Sequence, residues 1–329
     1  MPEVLPVQAT LFGVLVFSGI LGNILVIFTV FGSVCGAHSQ QHLTPSDIIL
    51  MNLSFANLLT SIFRTVPIFI SDFGVEIYLS NSWCKIFMFC WVWWRSVGVW
   101  VTFTLSLYQY LTIRRKFQIS GTLAKLAERR RVLLSLLVVW VLNFLYSVPA
   151  LFYSTHITGN NTAELMVISC NTRPLLGCIW DFPVEKHGII FATTSLAIHE
   201  VTPTVLMVAT NLSTLCVLKK YMQSVAESGL TTHMHSERNA SKLIVMLVTL
   251  FLLCWGTQIL AVSYYNYNGG SQAEILLMLA QFSATIFVGF SPLVVMLGHS
   301  KMILLSLGGH RLTRKPGEVE GWAEYRRWW

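Results

Sequence analysis

Three fully charged side chains, Arg64, Arg95 and Glu200, fall inside long apolar stretches of this sequence. One charge near the centre of a membrane costs at least about 2.5–3.5 kcal/mol, so such residues normally face the interior of a helix bundle. Arg95 and Glu200 are therefore expected to pair. His199 precedes Glu200, but the sequence supplies no third group for a catalytic set, no nucleophile elbow and no cluster of metal ligands. These residues argue against an enzyme, and neither a cofactor nor a metal is expected.

The elements that must position these residues are seven stretches with few or no charges. Each has about 20 residues or more, enough for an α-helix to cross the roughly 30 Å hydrocarbon core. The composition agrees, because only 11% of the residues are charged, against about 25% in soluble domains. The sequence predicts an all-α membrane protein, a bundle of seven transmembrane helices numbered here one to seven. The stretches are Val7–Phe31, Ile48–Ile70, Ile86–Ile113, Val132–Phe152, Gly188–Leu218, Leu243–Val262 and Ile275–Leu297.

Lysine and arginine residues gather in the loops on one side of this predicted bundle. By the positive-inside rule that side is cytoplasmic, which puts the N-terminus outside and makes residues 299–329 a cytoplasmic tail after a membrane domain over residues 1–298. The net charge of +7 then fits lipid head groups or a cytoplasmic partner better than nucleic acid. The opposite loops hold Arg173 and Lys186, with Lys85 at a boundary. The basic side holds Arg114, Arg115, Lys116, Lys125, Arg129, Arg130, Arg131, Lys219, Lys220, Arg238 and Lys242, and the tail adds Lys301, Arg311, Arg314, Lys315, Arg326 and Arg327.

Seven helices fit receptors, retinal proteins and a few transporters. Retinal binding needs a lysine in the last helix, and Ile275–Leu297 has none. An ion-coupled transporter needs several intramembrane acids or two halves with broken segments, and neither is found. A receptor remains, and the chain resembles the rhodopsin-like receptors at Gly22-Asn23, Asn52-Leu53-Ser54-Phe55-Ala56-Asn57, Cys84, Trp140, Cys254-Trp255 and Ser291-Pro292.

The signalling motifs of that family are altered here. Tyr108-Gln109-Tyr110 stands in place of Asp-Arg-Tyr, and Ser291-Pro292-Leu293-Val294-Val295 in place of Asn-Pro-x-x-Tyr. Asn57 replaces an acid, and its amide is expected to bond Asn23 and the backbone of helix seven. The departures together resemble the vomeronasal type-1 receptors and their relatives among fish olfactory receptors. The resemblance rests on Asp47-Ile48-Ile49-Leu50, Arg64-Thr65-Val66-Pro67, Cys84-Lys85, Arg95, Leu105-Ser106-Leu107-Tyr108-Gln109-Tyr110, Ser236-Glu237-Arg238-Asn239-Ala240 and Ser291-Pro292.

This resemblance implies a G-protein-coupled chemosensory receptor in the plasma membrane. A small odorant or pheromone would bind from outside among helices three, five, six and seven, and a heterotrimeric G protein of the inhibitory class would bind inside. That G protein is expected to contact Gln109, Tyr110, Arg114 and Arg115. The basic loop Arg114–Arg131 is also expected to contact membrane lipid. A bitter-taste-type receptor would also lack the Asp-Arg-Tyr triplet, and a transporter or channel is the alternative from another class.

The resemblance also implies a disulfide from Cys84 to the long loop after helix four. Cys178 is favoured as its partner over Cys170, because its distance from helix five resembles the family's spacing. Asn160, in Asn160-Asn161-Thr162, is a glycosylation acceptor that falls on the outer side.

The ligand hypothesis has a structural alternative. Under the ligand hypothesis, an acidic group of the ligand binds Arg95, while Glu200 and His199 bind a hydroxyl or an amine. Under the structural alternative, the Arg95–Glu200 pair merely ties helix three to helix five. Arg64, near the outer end of helix two, is expected to extend its charged head to the interface and to be structural. Under the ligand hypothesis the apolar body of the ligand is enclosed by Trp91, Trp94, Trp255, Gln258 and Gln281.

Overall fold

The computed structural model describes residues 6–35, 44–72, 75, 77–115, 122–156, 176–227, 249–261, 263–264 and 274–298. Helix one is α1 (Pro6–Cys35), helix two is α2 (Pro45–Thr60) with α3 (Val66–Asp72), helix three is α4 (Asn81–Arg115), and helix four is α5 (Thr122–Ser147) with α6 (Pro149–Phe152). Helix five is α7 (Glu185–Ser195) with α8 (Thr202–Glu227), helix six is α9 (Thr249–Ala261), and helix seven is α10 (Glu274–Gly298).

Each predicted apolar stretch overlaps one of these helices. Within the described ranges, helices one to five are long and apolar enough to cross a membrane, and helices six and seven contain shorter apolar segments. Several helices begin before their apolar stretch, and helix four does so by ten residues, at Thr122. Helix two, for example, begins at Pro45 because Thr44 and Asp47 form a capping box: Thr44 Oγ1 accepts from the Asp47 N–H at 3.2 Å, and Asp47 Oδ2 accepts from the Thr44 N–H at 3.1 Å.

Helices two and five each contain a π-helical turn just before a proline. The turns are Ser61–Thr65, before Pro67, and Leu196–Val201, before Pro203. Proline has no N–H, so it cannot bond the carbonyl four residues earlier, and the helix accommodates this by a wider turn with bonds that span five residues. The intramembrane charges of these two helices lie in these wide turns, which therefore set where the charges point.

A third proline explains how helix one is attached to helix seven. Pro292 lies inside helix seven and leaves the Val288 carbonyl without its usual helical donor. Asn23 Nδ2, from helix one, donates to that carbonyl at 3.4 Å. Close approach is possible because a Cβ on Gly22 would lie 3.0 Å from the Pro292 ring, so only glycine fits without displacement.

Asn57 bonds differently from our expectation. Its Nδ2 donates to Ser291 Oγ at 3.3 Å, a side chain of helix seven, whereas the bond to the helix-seven backbone is made by Asn23. The expected bonds of Asn57 were therefore wrong. The carbonyl that Pro292 leaves without a helical donor belongs to Val288, one turn before Ser291, so Asn23 reaches that carbonyl and Asn57 bonds the Ser291 hydroxyl instead. An amide–hydroxyl bond now occupies the position at which the family has an acid.

A short β-hairpin and a disulfide close one end of the bundle. Strands β1 (Ser154–His156) and β2 (Cys178–Trp180) pair antiparallel, and Cys178 is bonded to Cys84 at the start of helix three. The choice of Cys178 is confirmed. The rival Cys170 and the acceptor Asn160 lie outside the described residues. We call this end of the bundle the disulfide end, and the opposite end, with Arg114, the basic end.

Candidate functional site

An ion pair between Arg95 and Glu200 joins helices three and five inside the bundle. Both side chains are buried. The second carboxylate oxygen, Glu200 Oε2, accepts from the Trp255 indole N–H of helix six at 2.8 Å. The Arg95 guanidinium also lies over the Trp255 ring, 5.6 Å from its centroid. We call Arg95, Glu200 and Trp255 the polar cluster, because one carboxylate here holds three helices together.

The polar cluster rests on aromatic rings that extend to helix seven. Trp255 stacks on Phe251, with centroids 5.0 Å apart and planes inclined by 14°. Phe287 of helix seven meets both rings edge-on, at 5.2 Å from Phe251 and 5.8 Å from Trp255. Edge-to-face aromatic packing of this kind has defined geometry. A displacement of Trp255 would therefore alter the contact between helices six and seven.

His199 turns away from the polar cluster although it is adjacent to Glu200 in the chain. Its Nδ1 accepts from the Trp100 indole N–H at 3.3 Å, and its ring lies 3.7 Å from the Tyr146 ring, centroid to centroid. Tyr146 in turn donates its hydroxyl hydrogen bond to Ser195. The wide turn of helix five thus presents Glu200 to helix six and His199 to helices three and four.

Gln258 is the most unusual polar group near the cluster. It follows Trp255 by three residues on helix six, so it lies about one turn nearer the disulfide end on a similar face. Its side chain is 0% exposed. Neither its amide oxygen nor its amide nitrogen has a hydrogen-bond partner among the described residues. Such a group is costly to bury. Gln281 lies in helix seven, but its side chain is outside the described part of the structure.

Trp91 and Trp94 contact helix two rather than the polar cluster. Trp94 meets Phe63 edge-on at 4.3 Å, and the Arg64 guanidinium lies 5.2 Å from the centroid of the Trp91 ring. Arg64 is only 3% exposed, so the expectation that its head extends to the interface was wrong. The reason is that Trp91 offers a cation–π contact inside the bundle.

One cavity among the described residues touches the predicted ligand site only at His199. It measures about 730 Å³ and runs between helices three, four and five. Of the predicted ligand residues, His199 lines it, together with Trp100 and Tyr146. The sequence did not predict Trp100 and Tyr146 as partners of His199. The one sign of such a role in the sequence is that each of these aromatic side chains carries a polar atom within a membrane-spanning stretch.

Polar and basic side chains mark the basic end of helix three. Gln109 and Tyr110 are partly buried, and Arg114 is exposed. Arg114 Nη1 donates to the Tyr110 hydroxyl at 3.3 Å, one turn away on the same face. The side chain of Arg115 lies outside the described residues. Because Gln109 has no charge, this end of helix three lacks the arginine that the family uses in its Asp-Arg-Tyr triplet.

Comparison with known proteins identifies the family. The model of the 7 transmembrane receptor (rhodopsin family) matches residues 22–304. The chain is 53% identical to olfactory receptor class A-like protein 4 of Danio rerio, over 97% of this chain and 96% of the relative. It is 22% identical to olfactory receptor class A-like protein 1 of the same species, over 86% of each chain. It is 24% identical to vomeronasal type-1 receptor 4 of Homo sapiens, over 71% of this chain and 75% of the relative.

These matches confirm the resemblance that the motifs indicated. They make the protein a multi-pass protein of the plasma membrane that binds a small ligand and a heterotrimeric G protein. The chain is a receptor and not an enzyme, and it belongs to the rhodopsin family of seven-transmembrane receptors.

Proposed function

We propose that the protein is a chemosensory receptor for an odorant or a pheromone, which binds from outside the cell beside the polar cluster. The observation that carries this proposal is the buried carboxylate of Glu200, which contacts both Arg95 and Trp255. A ligand that alters this one group acts on helices three, five and six at once. The names of the relatives, two olfactory receptor class A-like proteins and a vomeronasal type-1 receptor, support the chemosensory role.

The chemistry of the cluster favours an acidic ligand. Arg95 already has a carboxylate partner in the resting receptor, and removing one partner of a buried pair leaves an uncompensated charge, which is strongly destabilising. A ligand can separate Arg95 from Glu200 only if it supplies its own negative group to Arg95. Glu200 then needs a donor, which a hydroxyl or an amine of the ligand provides.

Activation follows from the packing of Trp255. When Glu200 is withdrawn, the Trp255 N–H loses its acceptor, and the Trp255 ring is no longer held in its stacked contact with Phe251 and its edge-on contact with Phe287. The bound state then favours a different arrangement of helices six and seven. The ligand shifts the population only by its differential affinity for the two states.

We place the N-terminus and the disulfide end outside the cell, residues 1–298 in the receptor domain and residues 299–329 in the cytoplasm. The exposed basic residues of the opposite end, Arg114, Arg130, Arg131, Lys219 and Lys220, support this orientation. A G protein of the inhibitory class would contact Gln109, Tyr110, Arg114 and Arg115. A fall in cyclic AMP on stimulation is the expected signal, and a rise would exclude this class.

The experiment is a screen of small acids, amines and steroids on cells that express the receptor with a promiscuous G protein. Each agonist is then tested on Arg95→Gln, on Glu200→Gln and on the double variant with the two charges exchanged, at matched surface levels. The proposal expects Arg95→Gln to abolish the response to acids without lowering surface receptor. Thr257→Val is the matched control on helix six, because among the described residues its hydroxyl bonds to Leu253 O of its own helix alone, at 2.7 Å.

The structural alternative gives a different pattern. If the pair only ties two helices together, both single variants lose surface expression equally and the exchanged double variant restores it. That result would remove Arg95 from the ligand site. A response to acids that survives Arg95→Gln at normal surface level would contradict the proposal in the same way.

A further inference from the structure

The 730 Å³ cavity lies between helices three, four and five. Its walls include side chains that are about half exposed, Leu134, Val138, Leu142 and Ile198. In a receptor embedded in a bilayer, such side chains face lipid. We call this cavity the lipid-facing groove.

The middle of the lipid-facing groove is chemically apolar even where its residues are polar. Thr104 Oγ1 donates to Trp100 O of its own helix at 2.8 Å, and Ser135 Oγ donates to Val132 O at 2.8 Å. These hydroxyl hydrogens point to the backbone, so the wall presents methyl and methylene groups. Such a surface suits a hydrocarbon chain.

The basic end of the groove carries charge. Glu128 and Arg131 line it there, and Arg131 is exposed. Arg129 and Arg130 precede it on helix four, and the exposed Arg114 lies at the same end of helix three. At this end of the described structure, four arginines outnumber the carboxylates of Glu128 and of the buried Asp47, which favours an anionic group at the groove's mouth.

The length of the groove matches a lipid chain rather than a small solute. Glu128 and Tyr146, its lining residues nearest the two ends of helix four, are 18 residues apart, or about 27 Å along an α-helix. The hydrocarbon core is about 30 Å thick. The groove therefore runs from a charged mouth at one membrane boundary past the centre of the bilayer.

We propose that the lipid-facing groove binds an anionic phospholipid of the leaflet at the basic end. Its phosphate binds Arg131, and one acyl chain follows the apolar wall of helices three and four toward Tyr146 and His199. This site is separate from the proposed ligand site, although His199 is adjacent to Glu200 in the same wide turn. A lipid in the groove therefore packs against the outer side of the turn that holds the polar cluster.

The test uses the purified full-length receptor in phosphatidylcholine vesicles with a trace of spin-labelled lipid. The fraction of label that is motionally restricted is compared for phosphatidylglycerol and phosphatidylcholine. We expect a preference for phosphatidylglycerol of about fivefold, the factor that corresponds to about 1 kcal/mol for one arginine near the surface. Arg131→Gln should remove that preference, while Arg130→Gln, its exposed neighbour that does not line the groove, should retain most of it.

A second pair of variants tests the acyl-chain part of the groove. Val138→Trp should fill the groove and lower the restricted fraction for both lipids, whereas Leu137→Trp, similarly exposed but outside the groove, should not. Both positions face lipid, so neither substitution disturbs the core. Equal restriction of the two lipids, equal effects of Arg130→Gln and Arg131→Gln, or no effect of Val138→Trp would each overturn the proposal. Displacement of the label by cholesterol, with no dependence on Arg131, would assign the groove to a sterol instead and overturn it as well.

Discussion

Replacing Gln258 with leucine should stabilise the unliganded receptor and weaken its response to agonist. The side chain is fully buried, and neither amide atom has a partner among the described residues. A buried polar group without a partner costs about 1–3 kcal/mol, so the two groups together cost several. Leucine has a similar size and no polar atom, which removes that cost.

The expected gain is smaller than this gross figure. Measured hydrogen bonds between transmembrane helices average about 0.6 kcal/mol, because the unfolded chain in the membrane also finds partners. We therefore expect Gln258→Leu to raise the free energy of unfolding by roughly 1–2 kcal/mol, which corresponds to a rise of a few degrees in melting temperature. The opposite effect is expected on recognition: a ligand that bonds both amide atoms should lose about tenfold or more in potency.

The assay has two arms that share the same variant. Melting of the purified receptor is followed by fluorescence in detergent without ligand, and agonist potency is measured in cells at matched surface expression. Thr257→Val, at the neighbouring position, should leave the potency of the agonist unchanged. A lower melting temperature for Gln258→Leu with unchanged potency would refute the reasoning, because it would show that the amide is already bonded in the resting receptor.

Three further outcomes are expected. Cys84→Ser and Cys178→Ser should cut surface expression or response to a similar extent, with the double variant no worse than either, and a matching loss in Cys170→Ser would contradict the disulfide seen here. Trp255→Phe keeps a stacking ring but loses the indole N–H that donates to Glu200. Basal G-protein turnover should rise about fivefold, because the lost bond contributes about 1 kcal/mol; unchanged turnover would show that this bond does not restrain activation. Glycosidase should shift the mobility of the wild type but not of Asn160→Gln, and an epitope at the C-terminal end should be detected only in permeabilised cells; detection on intact cells would reverse the orientation.

The apolar stretches and the intramembrane charges made most of the fold predictable. Helix positions followed from length and hydropathy, and the meeting of Arg95 with Glu200 followed from the cost of an isolated charge in lipid. These inferences need no knowledge of neighbouring side chains. The extra residues at the helix ends came from local devices such as the Thr44–Asp47 capping box.

Side-chain direction was not predictable in the same way. Trp91 lies one turn before Arg95 on a similar face of helix three, yet it packs under Arg64 of helix two. Helix periodicity fixes which residues share a face, but the neighbour that a face meets changes from one turn to the next with the tilt of the surrounding helices. A single sequence carries no direct signal for that tilt.

The wide turn of helix five shows why two adjacent polar residues need not serve one site. Glu200 contacts Arg95 and Trp255 inside the bundle, whereas His199 contacts Trp100 and Tyr146 beside the lipid-facing groove. The turn at Leu196–Val201 separates their directions, since consecutive residues of any helix point to different sides. In the proposed mechanism, a ligand that displaces Glu200 by moving the backbone of this turn also moves His199 against its aromatic partners. Under the proposed function, the cost of activation is then shared between the ion pair and the packing on the membrane side, and an acidic ligand, which offers Arg95 a replacement charge, offsets more of it than a neutral ligand does.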